Sequence, residues 1–175
     1  MQITEHCFFH ADREGTLQEG QMVVLNNMDL SRFGHAYWDA IVETPFEDLS
    51  PAAKREALLE EVKKDPSFHF YSSRLQSMFG ANTIEDAIWF ARSITPVPLK
   101  PIRIFEVFAT KFWTLDMNWL DFASDPIQTI QNYREYWGGK ISNSVRRPPR
   151  LEVLIPLPAR IGKVVYTVND IGFAQ

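Results

Sequence analysis

One cysteine, Cys7, stands in 175 residues. That excludes an intrachain disulfide framework and any zinc site built from several cysteines, and it fits a reducing cytoplasm. Long apolar runs are missing as well: no stretch approaches the roughly 18 residues that a bilayer-spanning helix needs. The opening MQITEHCFFHADREG lacks the basic start, apolar run and small-residue cleavage site of a signal peptide, so a cytoplasmic protein without membrane contacts is expected. Basic charge is not in excess. With 18 Lys and Arg against 22 Asp and Glu, the net charge is −4, and non-specific attraction to nucleic acid or to an anionic membrane is not expected, although local basic patches are compatible with it. There is no P-loop, GxGxxG, HExxH or GxSxG, and no spaced Cys/His set. His6, His10, His35 and His69 match no metal-ligand spacing, and no metal is expected.

What is present is ordinary in bulk and unusual in one respect. Hydrophobic residues at 45% and charged residues at 23% describe a globular chain, and a domain spanning 1–175 is long enough to bury a core without staples. The aromatic share is 13%, with 13 Phe and 5 Trp, ring surface that serves a core or lines a ligand cleft.

Along the chain, Ile3 to His10 reads as a first strand closed by an Asp-, Glu- and Gly-rich turn, and Met22 to Leu25 as a second. Asn26 to Glu43 has no clear period and reads as a loop or irregular helix. Ser50 with Pro51 opens a helix through AAKREALLEEVKK, with Leu58, Leu59 and Val62 on one stripe, ending near Lys64. SFHFYSS, Ser67 to Ser73, reads as an aromatic strand. A second helix follows from about Thr83 to Ser93, then a rigid TPVPLKP connection, then a central strand from Ile102 to Phe112 that is apolar on both faces. LDMNWLDFASDP reads as a loop or a turn of helix. Asp125 with Pro126 opens a third helix, which Gly138 and Gly139 close, and Lys140 to Arg147 reads as a polar, mobile segment. The stretch PRLEVLIPLPARIGKVVYTV supplies two closing strands, with Glu152 at the mouth of the first. Strands and helices mix without regular βαβ alternation, so the expected class is α+β: a split, mainly antiparallel sheet with about three helices.

Three polar positions stand at strand ends: His10; Tyr71, Ser72 and Ser73; and Glu152. In a small split sheet they can meet at one cleft. On spacing alone they are equally a turn histidine, helix-entry serines and an edge carboxylate.

FFHADREGTLQEGQMVVL resembles the opening strand and turn of ADP-ribosyltransferase-like domains. SFHFYSSRLQS ahead of IEDAIWFARSI resembles their middle strand and following helix, and LEVLIPLPARIGKVV resembles the late strand pair whose catalytic glutamate precedes an apolar run. The motifs occur in the same order, and the whole chain is similar to a bacterial family of unknown function associated with that superfamily. The resemblance implies NAD as co-substrate and no metal. It puts His10 on the adenosine ribose, Tyr71, Ser72 or Ser73 on the nicotinamide side, and Glu152 beside the nicotinamide ribose as the catalytic group. ADP-ribose would then pass to an unknown acceptor. An inactive binding module and an NAD or nucleotide glycohydrolase are the alternatives. The pattern departs from the family twice: His-Ala-Asp stands where His-Gly-Thr is common, and Arg150 where arginine-modifying transferases carry a second Glu.

Overall fold

The computed structural model describes residues 4–93 and 100–169. Ile3, most of the TPVPLKP connection and the tail beyond Asn169 lie outside the described residues. Two antiparallel sheets form the centre. One has the order β1-β4-β7-β2, from β1 (His6–Asp12), β4 (Ile102–Ala109), β7 (Ala159–Val168) and the short β2 (Met22–Val23). The other has the order β3-β6-β5, from β3 (Ser77–Gly80), β6 (Leu151–Pro156) and β5 (Trp113–Asp116). A bridge between Phe9 of β1 and Ala81, just beyond β3, stitches the two sheets at one edge.

Alternation along the strands decides what each face covers. Phe8, Phe105 and Val107 of the larger sheet meet Met78, Val153 and Ile155 of the smaller one in a shared core. Ile102 and Ile104, on the opposite face of β4, pack under Ala87 and Ala91 of α3 (Ile84–Ser93). Leu115 and Leu154 point away from the larger sheet into a second core. It is closed by Leu59 and Val62 of α2 (Pro51–Lys63) and by Tyr133, Tyr136 and Trp137 of α4 (Pro126–Trp137). β6 is therefore covered on both faces, which is why Val153, Leu154 and Ile155 are apolar in succession and why Glu152, the charge among them, is buried.

The α+β class and the antiparallel pairing stand, with four α-helices among the described residues instead of about three. The additional one is α1 (Arg32–Glu43), inside the stretch read as irregular. Ser31 caps it by accepting the Gly34 N–H at 3.0 Å. Ser67 to Ser73 is not a strand. Asp65 accepts the Ser67 N–H and starts a 3-10 turn over Pro66–Phe68, and Ser73 caps another over Arg74–Gln76, so turn chemistry overrides the strand preference of the aromatic residues. Leu115 and Asp116, read as the start of a loop or a turn of helix, instead complete β5 with Trp113 and Thr114. The two closing strands do not pair with each other: β6 joins the smaller sheet and β7 the larger. Nor is the polar segment after α4 loose at its start, where the Ser142 N–H and hydroxyl both donate to the buried Asp116 carboxylate. No described helix is long and apolar enough to cross a membrane.

Candidate functional site

Glu152 sits on the middle strand of its sheet and is only 4% exposed, so it is neither an edge charge nor a solvated one. Alternation turns it to the face of Leu154, toward α2 and α4. There its Oε1 accepts from Arg74 Nη1 at 2.5 Å and from the Tyr136 hydroxyl at 2.7 Å. Among the described residues, both hydrogen bonds to Glu152 land on this one oxygen.

Arg74 is the hub. Its Nε donates to Glu56 Oε2 at 2.8 Å, and its Nη1 also reaches the Tyr136 hydroxyl. Its guanidinium lies 4.5 Å from the Phe79 ring centroid, with Phe33 and Tyr136 also within cation–π range. Glu56, fully buried, takes a further ion pair from Arg55 at 3.0 Å. The buried Glu56 and Glu152 thus face the buried Arg74, with the partly exposed Arg55 as a second cation and Glu60 accepting the Arg74 backbone N–H at 3.0 Å, so the buried carboxylates are paired, the condition under which buried charge is tolerated. Burial alone would lower the Arg74 pKa, but the facing Glu152 and Glu56 carry it well above its ordinary value. Burial, with the Glu152 charge, pushes Tyr136 well up, so its hydroxyl stays protonated and donates.

His10 reaches the same place from the other sheet. Its Nδ1 lies 2.5 Å from the Phe79 carbonyl oxygen, which can only accept, so the proton is on Nδ1 and Nε2 is an acceptor. Burial lowers the His10 pKa, with the Phe79 carbonyl and the acidic Asp12 and Glu14 acting against the shift.

His10 and Glu152 line one cleft of about 550 Å³, with Phe33, Phe79, Arg55 and Arg150 among its other walls. The Phe9–Ala81 bridge explains the meeting. It ties β1 to the end of β3, whose Gly80 pairs with Val153, the neighbour of Glu152.

Tyr71, Ser72 and Ser73 are not among the residues of this cleft. Tyr71 packs against Trp113 and Trp137, with ring centroids 5.4 and 5.5 Å away, and Ser73 spends its hydroxyl on the Leu75 N–H. Ser73 instead touches a larger groove of about 680 Å³ between α1 and α2. That groove contains neither His10 nor Glu152, so the smaller cleft is the candidate site. Among the described residues, no three His, Cys, Asp or Glu side chains come together to hold a metal ion.

The sequence reading missed Arg74, Glu56 and Tyr136. One signal was available: Glu56 falls on the α2 stripe of Ala53, Leu59 and Val62, all buried, where a carboxylate requires a partner. No protein-family model matches the chain, and no curated protein matches it either.

Proposed function

We propose that the chain is an ADP-ribosyltransferase-like protein whose cleft takes NAD, with Glu152 as the group that acts on the nicotinamide ribose. One observation carries the reading: a histidine within β1 and a buried glutamate of β6, 142 positions apart in the sequence and on separate sheets, line the same cleft. The walls suit such a ligand. A volume of about 550 Å³ lies within the roughly 300–1,000 Å³ of small-molecule sites. Phe33 and Phe79 offer ring faces to a base or nicotinamide, and Arg55 and Arg150 offer guanidinium groups to a pyrophosphate.

The chemistry is a substitution at the ribose C1′. The bond from C1′ to the nicotinamide nitrogen breaks and its electron pair leaves with neutral nicotinamide. A lone pair of the acceptor closes on C1′, and the acceptor gives up its proton. Positive charge develops on the sugar in between. A fixed carboxylate accepting from a ribose hydroxyl stabilises that state. Arg74 and Tyr136 hold Glu152 by Oε1, which leaves Oε2 for the substrate and prevents the carboxylate from turning away. His10 Nε2 accepts from a hydroxyl of the second ribose. The departure at Arg150 argues against arginine as the acceptor.

The same observation favours a second reading, a binding module without turnover. A carboxylate already engaged by Arg74 and Tyr136 carries less charge toward a substrate.

Millimolar NAD should raise the melting temperature of the purified chain, and nicotinamide should appear on incubation. Glu152→Gln should cut that release by about 10²- to 10³-fold while the variant stays folded. A melting shift without nicotinamide supports the binding module. Free ADP-ribose with no acceptor present supports hydrolysis, and no shift at all overturns every one of these readings.

A further inference from the structure

A second concavity of about 410 Å³ adjoins the first and shares Trp89, Phe90 and Arg150 with it. One wall is α3 and the other is the segment from Arg146 to Leu151. This segment is built in. The Arg150 N–H donates to Asp116 at 3.0 Å, Asn118 donates to the Pro148 carbonyl at 2.8 Å, and Arg150 Nε donates to Asn118 at 2.7 Å. Pro148 and Pro149 fix their own backbone angles between those anchors.

The lining so held carries three arginines, Arg146, Arg147 and Arg150, facing Asp86 and Trp89 of α3. Arg146 is exposed and has no hydrogen bond or ion pair among the described residues. Arg147 and Arg150 share the Asp121 carboxylate, whose side chain is 55% exposed. Pairs of that kind are weak and open to exchange with a better anion. Trp89 is 48% exposed and held on one side, edge to face with Phe90 at 5.2 Å, so much of its ring is open to a ligand.

We propose that this second cleft binds single-stranded nucleic acid, with a base stacked on Trp89 and successive phosphates on Arg146, Arg147 and Arg150. Guanidinium groups pair phosphate in a forked geometry, and an aromatic face beside them takes any unstacked base. A duplex hides its base faces, an acidic peptide has no use for the indole, and a lipid surface leaves the concavity unfilled. The net charge of −4 gives no long-range pull, so binding depends on this patch. The inference goes beyond the proposed NAD site and does not require it to be occupied; the two clefts share Arg150, so a bound strand and a dinucleotide compete for that guanidinium.

The test is fluorescence anisotropy of a short, mixed-sequence labelled oligonucleotide, as DNA and as RNA, titrated with the full chain across a range of salt. Three phosphate contacts give a log–log salt slope near about −2 for a single strand. Arg146→Glu should reduce the steepness by about 0.7, and because Arg146 has no partner to lose, this variant keeps its fold. Trp89→Ala should weaken binding at least about fivefold. The proposal is overturned by no binding up to about 100 µM protein, by equal affinity for duplex, or by wild-type affinity in both variants. It is also overturned if phosphatidylserine vesicles, and not the strand, bind in a manner that Arg146→Glu abolishes. An NAD melting shift retained in Arg146→Glu separates failure here from failure of the first cleft.

Discussion

Arg74 is where the electrostatics of the molecule are concentrated, because it is the cation that Glu56 and Glu152 both face in the interior. Removing one member of a buried, hydrogen-bonded pair leaves the others charged and unsolvated. Arg74→Ala should therefore lower stability by about 3–5 kcal/mol, read from urea midpoints. Glu152→Gln keeps the shape and leaves Arg74 its bond to Glu56, so its loss should be smaller, about 1.5–3 kcal/mol. The reverse order of these two effects would show that Arg74 is not the hub. His10 makes a prediction in pH. Its pKa is depressed by burial in the folded chain, so on acidification the unfolded chain takes up the proton first, near about 6.5. Stability should fall as pH drops from there toward the depressed folded pKa, and be unaffected above it. Denaturant melts across this range should show the fall in the wild type and a flatter profile in His10→Gln, which can still donate to the Phe79 carbonyl.

Among the elements, α1 is placed by the tightest contact. A Cβ added at Gly34 would lie 2.0 Å from the Leu75 carbonyl oxygen, and the Ser31 N–H donates to that same oxygen at 2.8 Å. Gly34→Ala must push the helix away from the turn that carries Arg74, at a cost of about 1–3 kcal/mol and with Phe33 drawn off the guanidinium; thermal melts check the first and the NAD shift the second. Such contacts explain what the sequence showed and what it hid. α2, α3 and α4 were legible because caps, prolines and glycines mark their ends. α1 was missed although it carries the same kinds of mark, a Ser31 cap and Phe33, Tyr37 and Ile41 at helical spacing, because polar residues and a second set of aromatic and aliphatic side chains interleave with that stripe. The strand expected at SFHFYSS failed because aromatic density cannot distinguish a pleated strand from rings hung on consecutive turns. β5 was hidden because WTLD is four residues long and its partner, β6, lies far along the chain.

At the scale of the whole molecule, the candidate site exists because the Phe9–Ala81 bridge joins two sheets that also share a core, which brings His10 and Glu152 to one cleft. His10 and Glu152 were legible as residue types in strands, and their meeting at one cleft was one of the readings the spacing left open; His10 lies within β1, which runs on to Asp12. The route was not legible: β6 and β7, adjacent in sequence, separate into different sheets, and long-range pairing of this kind leaves no local signal. The polar hub that fixes Glu152 was equally hidden, since Glu56, Arg74, Tyr136 and Glu152 come from four different elements. The central claim is spatial, that the cleft between His10 and Glu152 is where a dinucleotide sits, and diffraction from crystals soaked in NAD tests it most directly. The account predicts density between those two side chains, with a ribose hydroxyl within hydrogen-bond distance of Glu152 Oε2. Density confined to the larger groove beside Trp38 and Leu58, or none in the His10–Glu152 cleft at millimolar NAD, would contradict it.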